Sequence, residues 1–353
     1  MAAIGVAACD VYEFGNNPAP RFEQTWNLPA PSMSISVAEL LPTTGEVTIL
    51  PDSSAFELSV GGASISRVVG NDCAACVALN GTNAPKPAFV LNAGNSTPLP
   101  TDVVSAAIVG GQVDVQLTNN MSFDPLFVRT NPGPQTQGFM LIVVRSGSVV
   151  LGRDSVNGAT TPFPPGTPLN RTILFTTGTV TASITVDVTM DSPLGDHDVP
   201  INSNGTLDAS ATVPTLTVAS VGLNVPNRTM QSESDSLDLG GLGDISDNVV
   251  SGTLEMTITN PFAVTGAVNV RFAYGPGPSD AVTETFMLPT GAAQVRTVTL
   301  DSADMSNLFG AEEKVAFEIG GAVTSAAPIT VTPTMAISMS NRLILTIRTG
   351  GGN

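Results

Sequence analysis

Four sets of residues in this chain could carry chemistry. Cys73-Ala74-Ala75-Cys76 has the spacing of a redox or haem-attachment pair. Haem attachment needs histidine at the next position, where Val77 stands. Thioredoxin-like exchange needs the pair between a strand and a helix of an α/β unit, and no such context surrounds it. A structural bridge between Cys73 and Cys76 across a loop is the expected state. His197 is the single histidine, set in Gly195-Asp196-His197-Asp198 and expected in an exposed loop between acids. A Ser-His-Asp or Cys-His mechanism would have to use it, and no Gly-x-Ser-x-Gly elbow accompanies it. Two cysteines and one histidine also fall short of a four-ligand zinc site.

The third set is the acidic stretch from Gln231 to Asn248, with Glu233, Asp235, Asp238, Asp244 and Asp247 and no Lys or Arg. Oxygen-rich loops of this kind coordinate Ca²⁺, which takes six to eight oxygens in flexible geometry. This stretch is therefore the candidate metal site, and Ca²⁺ the one candidate cofactor. Gly240-Gly241-Leu242-Gly243-Asp244 approaches the repeat of calcium β-rolls but lacks one residue and occurs once. The fourth set is the 30 acids as possible glycosidase pairs. Sugar clefts usually offer aromatic platforms, whereas this chain has one Trp and two Tyr, with Tyr12 and Trp26 near the N-terminus. No catalytic residue is assigned, and the chain reads as a non-enzyme.

The elements that would position these residues are strands. Gly 34 and Pro 27 are abundant, charged residues make up 12%, and hydrophobic residues 42%. Met33-Ser34-Ile35-Ser36-Val37, Phe56-Glu57-Leu58-Ser59-Val60 and the run from Thr181 to Val188 alternate apolar with polar or small residues, the period of a sheet buried on one face. Phe139–Val144 is continuously apolar and predicts a central strand. One short helix is predicted around Ser302–Lys314, capped by Asp301 or Ser302. Leu41-Pro42-Thr43-Thr44-Gly45 spells a sortase signal but lies far from the C-terminus, and is read as a turn. No run approaches the ~20 apolar residues of a spanning helix.

The chain also repeats itself. Gly111–Asn119 aligns without gaps on Gly252–Asn260, with apolar residues at the same alternate positions, and both copies end in Thr-Asn. Pro31-Ser32-Met33, Pro214-Thr215-Leu216 and Pro333-Thr334-Met335 each enter an alternating strand. The unequal offsets imply an insertion between Val37 and Gly111, which would carry the CxxC. The expected fold is all-β: two tandem antiparallel β-sandwich, immunoglobulin-like domains related by an internal repeat. The divisions are 1–9, a remnant signal; 10–30, an extended tether whose Trp26 docks on the first domain; 31–212, domain 1 with the insertion; and 213–353, domain 2. Ser251–Phe272, with Asn260-Pro261-Phe262 after an alternating strand, resembles the sandwich domains of late-embryogenesis-abundant and water-stress-hypersensitivity proteins, although the first copy has Asn120 where that pattern has proline.

Val6-Ala7-Ala8-Cys9 resembles the bacterial lipobox. That resemblance implies a lipidated Cys9 and a chain held outside the cytoplasm by its acyl chains, on the periplasmic side of a membrane or at the cell surface. Met1–Ala8 lacks the basic flank and the full apolar length of a signal peptide. With Cys9 lipidated and Cys73–Cys76 bridged, no free thiol remains, as suits an exported protein. Lys+Arg 13 against Asp+Glu 30 gives a net charge of −17, which argues against nucleic acid and against adsorption to anionic lipid. Membrane contact would then come through the N-terminal lipid. The functional expectation is a non-catalytic extrinsic subunit that docks on membrane or envelope proteins and stabilises their complex. The alternatives are an envelope module binding Ca²⁺ or a small hydrophobic ligand and, less favoured, an envelope hydrolase.

Overall fold

The computed structural model describes residues 21–127, 137–231, 234–239, 247–275, 277, 280–310 and 315–349. The first part of the chain runs β1 (Phe22–Ser36), β2 (Val47–Ile49), β3 (Phe56–Val68), α1 (Ala74–Ala78), β4 (Asn83–Pro85), β5 (Phe89–Pro98), β6 (Val103–Asn119), β7 (Phe139–Ser146), β8 (Val149–Asn157), β9 (Pro168–Leu174), β10 (Gly178–Thr181), β11 (Ser183–Ser192), β12 (Asp198–Pro200) and β13 (Thr206–Leu223). The second runs β14 (Arg228–Gln231), β15 (Asp235–Leu237), β16 (Val249–Asn260), β17 (Val264–Ala273), β18 (Ala281–Met287), β19 (Gly291–Leu300), α2 (Ser302–Phe309), β20 (Val315–Ser325), β21 (Ile329–Val331) and β22 (Ala336–Thr349).

The strands pair antiparallel throughout the main sheets, as period-two alternation requires when one face of each sheet is buried. In one sandwich, β3-β13-β6-β9 forms one sheet and β5-β11-β7-β8 the other. In the second, β1-β22-β16-β19 faces β14-β20-β17-β18. Counting the eight principal strands of each sandwich in spatial correspondence gives one order twice, 1-8-3-6 over 2-7-4-5. That is the order of a jelly roll, an eight-stranded double-sheet fold built from two Greek keys. It refines the expected immunoglobulin-like sandwich. Phe139–Val144 lies in β7, a central strand as predicted, and α2 is closed by Asp301, which accepts from Ala303 N and Asp304 N in a capping box.

The domain boundaries need correcting. The segment expected as a tether is a strand from Phe22 onward, and it pairs with β22 from Phe22↔Thr349 to Ser36↔Ala336. The first strand of the second sandwich therefore comes from the N-terminal end, and the first sandwich is nested between strands one and two of the second. Trp26 sits opposite Leu345, on the second sandwich rather than the first. The expected division at 212/213 falls inside β13, whose last residues Val221–Leu223 pair with β21 of the other half. The three Pro-containing elements are also not equivalent. Pro31 lies at a bulge in β1, Pro214 at a bulge in β13, and Pro333 just before β22. The first two sit at ladder interruptions, where a residue without N–H fits, and Pro333 lies in the turn between β21 and β22. The insertion inferred from their offsets therefore has no basis, although the CxxC does sit in a long connection, between β3 and β5.

The two sandwiches share more than β13 and β21. Ser325 N, at the end of β20, donates to Val225 O just beyond β13 at 3.0 Å. Arg228 reaches from β14 to Asp102 in the β5–β6 turn, with Nη2 to Oδ2 at 2.6 Å and both side chains about four-fifths covered (15% and 21% exposed). Asp102 adopts φ +70°, a left-handed conformation that Asn tolerates equally well. Asp102→Asn therefore removes the charge without straining the turn. It should lower unfolding free energy by about 2 kcal/mol, below the 3–5 kcal/mol of a fully buried pair because both groups keep some water. Urea denaturation of the two proteins checks this.

Candidate functional site

The residues singled out in the sequence do not converge. Cys73 and Cys76 form the expected disulfide, with Cα atoms 5.2 Å apart. They open the five-residue helix α1, where Cys73 is the N-cap and its Sγ accepts from Cys76 N. The pair thus does sit at a helix start, but in an all-β setting and with both cysteines buried. Thiol exchange needs an accessible sulfur, which this one is not. His197 lies just before β12, exposed, with Nδ1 3.0 Å from Asp196 Oδ1 and its ring edge-on to Phe127 at 4.8 Å. Of the acidic stretch, Asp235 is on β15, paired with Phe317 of β20. Asp238 and Asp247 are described, whereas Glu233 and Asp244 lie outside the described residues, as does Cys9. Among the described residues no group of three His, Cys, Asp or Glu is placed to hold a metal ion. Among them, too, no helix is long and apolar enough to cross a membrane.

The features that remain are sheet edges, and the repeat allows the two sandwiches to be compared position by position. Cross-strand partners share a face. Val115 and Met256 are equivalent by the gap-free alignment and both point inward, fully covered. Their partners are Arg171 on β9 and Arg296 on β19, so these arginines are equivalent and face into the gap between sheets at its edge. Across that gap stand Asp154 on β8, opposite inward Ile142, and Glu284 on β18, opposite inward Val270. Sequence reading missed this set. The signal was present, since Arg171 and Arg296 each break the apolar alternation of a strand.

In the first sandwich the edge is shut. Arg171 Nε holds Asp154 Oδ2 in a half-buried ion pair, which draws the Asp154 carboxyl below its ordinary range. Thr176 N donates to Leu151 O at 2.7 Å. Gly152 closes the contact, because a Cβ there would meet Leu174 O at 2.8 Å. In the second sandwich the same edge stays open. Among the described residues Arg296 and Glu284 form no ion pair with one another, and a cavity of 280 Å³ lies between β18 and β19, lined by Glu284, Phe286, Arg296 and Val298 with three threonines. β19 is exposed on both faces from Gly291 to Thr297. Inward-pointing charges of this kind keep free edges from pairing indiscriminately.

At the opposite end of the same sheet, β1 is likewise an edge strand among the described residues. Trp26 and Leu28 pair with Leu345 and Leu343, both core-facing and fully covered. Their side chains and that of Phe22 therefore project on the core face, yet Phe22 is 59% and Trp26 39% exposed. The strand overhangs the sandwich it belongs to, and among the described residues nothing covers the side chains of Phe22 and Trp26 there.

No family model matches the chain, and no curated protein does. Among solved structures, a candidate secreted protein from Parabacteroides distasonis is similar at 10% identity with a TM-score of 0.33, over 93% of this chain and 100% of that one. The structure of infectious bursal disease virus, Gx strain, gives 10% identity and a TM-score of 0.22 over 96% of this chain and 74% of that one. The empty top component of cowpea mosaic virus gives 9% identity and 0.20 over 88% and 94%.

Proposed function

We propose that this chain is a non-catalytic structural subunit, whose work is to pack against other protein subunits in a larger assembly. The observation that carries this is the architecture itself: two jelly rolls of identical strand order, one nested in the other and joined along β13 and β21, with their interiors filled by apolar side chains. Jelly rolls serve as shell subunits, lectins and cupins. Cupin chemistry relies on histidine-rich metal sites, and this chain has a single histidine. Lectins rely on aromatic platforms, and here the one tryptophan lies on an outer strand. Surface complementarity is the use these residues support. The test is native purification followed by mass measurement and electron microscopy. A regular particle, a lattice or a stoichiometric complex is the expected result. A monodisperse monomer, both from the native source and at high concentration, overturns the proposal.

A second reading concerns the setting. The buried Cys73–Cys76 bridge supports an oxidising compartment, because such bonds are rare where glutathione keeps thiols reduced. In that setting the assembly would belong to the cell envelope, with the chain as an extrinsic subunit held by lipid on Cys9. Intact mass of the native protein tests it: an acylated chain beginning at Cys9 is expected, and an unmodified N-terminus overturns the anchor.

A further inference from the structure

The two uncovered features of the second sandwich lie at opposite ends of one sheet, and they complement each other. We propose that copies of this chain associate head to tail, with β1 of one copy adding to the free edge of β19 on the next and covering its open mouth. This deepens the assembly reading and rests on it.

Strand direction permits the addition. Along β1-β22-β16-β19 every neighbour is antiparallel, so β1 and β19 run in opposite directions. A second copy in the same orientation therefore presents its β1 antiparallel to β19, and the sheet continues without a break in its alternation. The register follows from the side chains. Setting Trp26 opposite Arg296 also sets Gln24 opposite Val298 and Leu28 opposite Gln294, all on the inward face. The exposed Phe22 and Trp26, with half-buried Leu28 beside them, then lie over the cavity beside Phe286 and Val298. Arg296, which carries no ion pair among the described residues, gains the face of the only tryptophan in the chain, a cation–π partner. In the first sandwich the equivalent arginine is satisfied within the fold by Asp154 and the edge is closed. A closed edge at one position and an open one at its repeat is what a single specific strand-addition site requires.

The contact is heterologous, because two different surfaces meet, so each copy keeps one unused surface and growth continues into a ring or a row. Sedimentation velocity across a concentration series, with Trp26 emission followed in parallel, tests it. The wild type should form species beyond the dimer, and Trp26 emission should shift to the blue as they form. Trp26→Ala and Arg296→Glu should each weaken association at least tenfold, while far-UV circular dichroism shows both variants folded under the same conditions. Mixed in equal amounts, the two variants should form one dimer and stop there, since the mixture holds a single intact pair of surfaces. A wild-type monomer with unshifted Trp26 emission at every concentration overturns the proposal, and so does a mixture that fails to pair. If the protein nevertheless co-purifies with unlike subunits, the assembly reading stands and only this contact falls.

Discussion

Replacing Asn119 by leucine should cost about 4 kcal/mol of unfolding free energy, and replacing Asn260 should cost a similar amount. Asn119 is fully buried at the end of β6. Its Nδ2 donates to Phe123 O at 2.9 Å and Phe163 O at 2.7 Å, while its Oδ1 accepts from Met121 N at 2.9 Å. Asn260 does the same at the end of β16: Nδ2 donates to Pro289 O at 2.9 Å and Val264 O at 3.3 Å, and Phe262 N donates to Oδ1 at 3.0 Å. In each copy the backbone partners are the residues two and four beyond the asparagine and one residue in the connection leading to strand six. The side chain thus staples the exit of strand three to the entry of strand six. Leucine fills the space but leaves two carbonyls and one N–H buried without partners, at about 1–3 kcal/mol each. Part of that cost is recovered by local shifts, so the lower half of the summed range is expected. Urea denaturation with far-UV detection measures it. A loss under 1 kcal/mol for both variants would show that the asparagines are not what holds these turns. The two sites lie in different sandwiches and share no partner, so the double variant should lose the sum of the single losses.

The Thr-Asn ending of the sequence repeat was legible because it is a local device. Two of each asparagine's three partners lie in the turn just behind an alternating strand, and the repeat spelled that ending twice. The alternation of Phe56–Val60 and of Thr181–Val188 was legible for the same reason, as one buried face writes a period of two into the chain. The place of β1 was not legible. Its partner lies some three hundred residues away, and no local pattern names a partner. Pro29 and Pro31 made the segment look like a tether, because proline is expected to stop a strand. On a free edge with a bulge between Ala30 and Met33, the missing N–H breaks little of the ladder. The open mouth of the second sandwich was illegible in another way. Arg171 and Arg296 occupy the same position in the repeat and differ in whether the acid across the gap pairs with them, which depends on strands far apart in the sequence.

Lys86 gives the second large effect, and it depends on pH. Flanked by Pro85 and Pro87, it carries no sequence sign of burial, yet it is 2% exposed, with Nζ donating to Pro125 O at 2.9 Å and to Asp124 O at 3.4 Å. Burial pushes its pKa down from 10.5 to about 8, with the Asp124 charge pulling the other way. The unfolded chain keeps the ordinary value. Below about pH 8 both states hold the proton, and the folded state bears the full cost of the buried charge. Between about 8 and 10.5 the unfolded chain binds a proton that the folded one has released, so stability rises with pH through this window. A displacement of that size corresponds to about 3 kcal/mol. Other groups titrate in the same range, so the comparison is with Lys86→Met, which keeps the aliphatic stem and removes the charge. Measured by urea denaturation, the wild type should gain about 3 kcal/mol on the variant between pH 7 and pH 10.5. Parallel pH profiles for the two proteins would show that Lys86 stays charged in the fold, its ammonium held by the two carbonyls at no net cost.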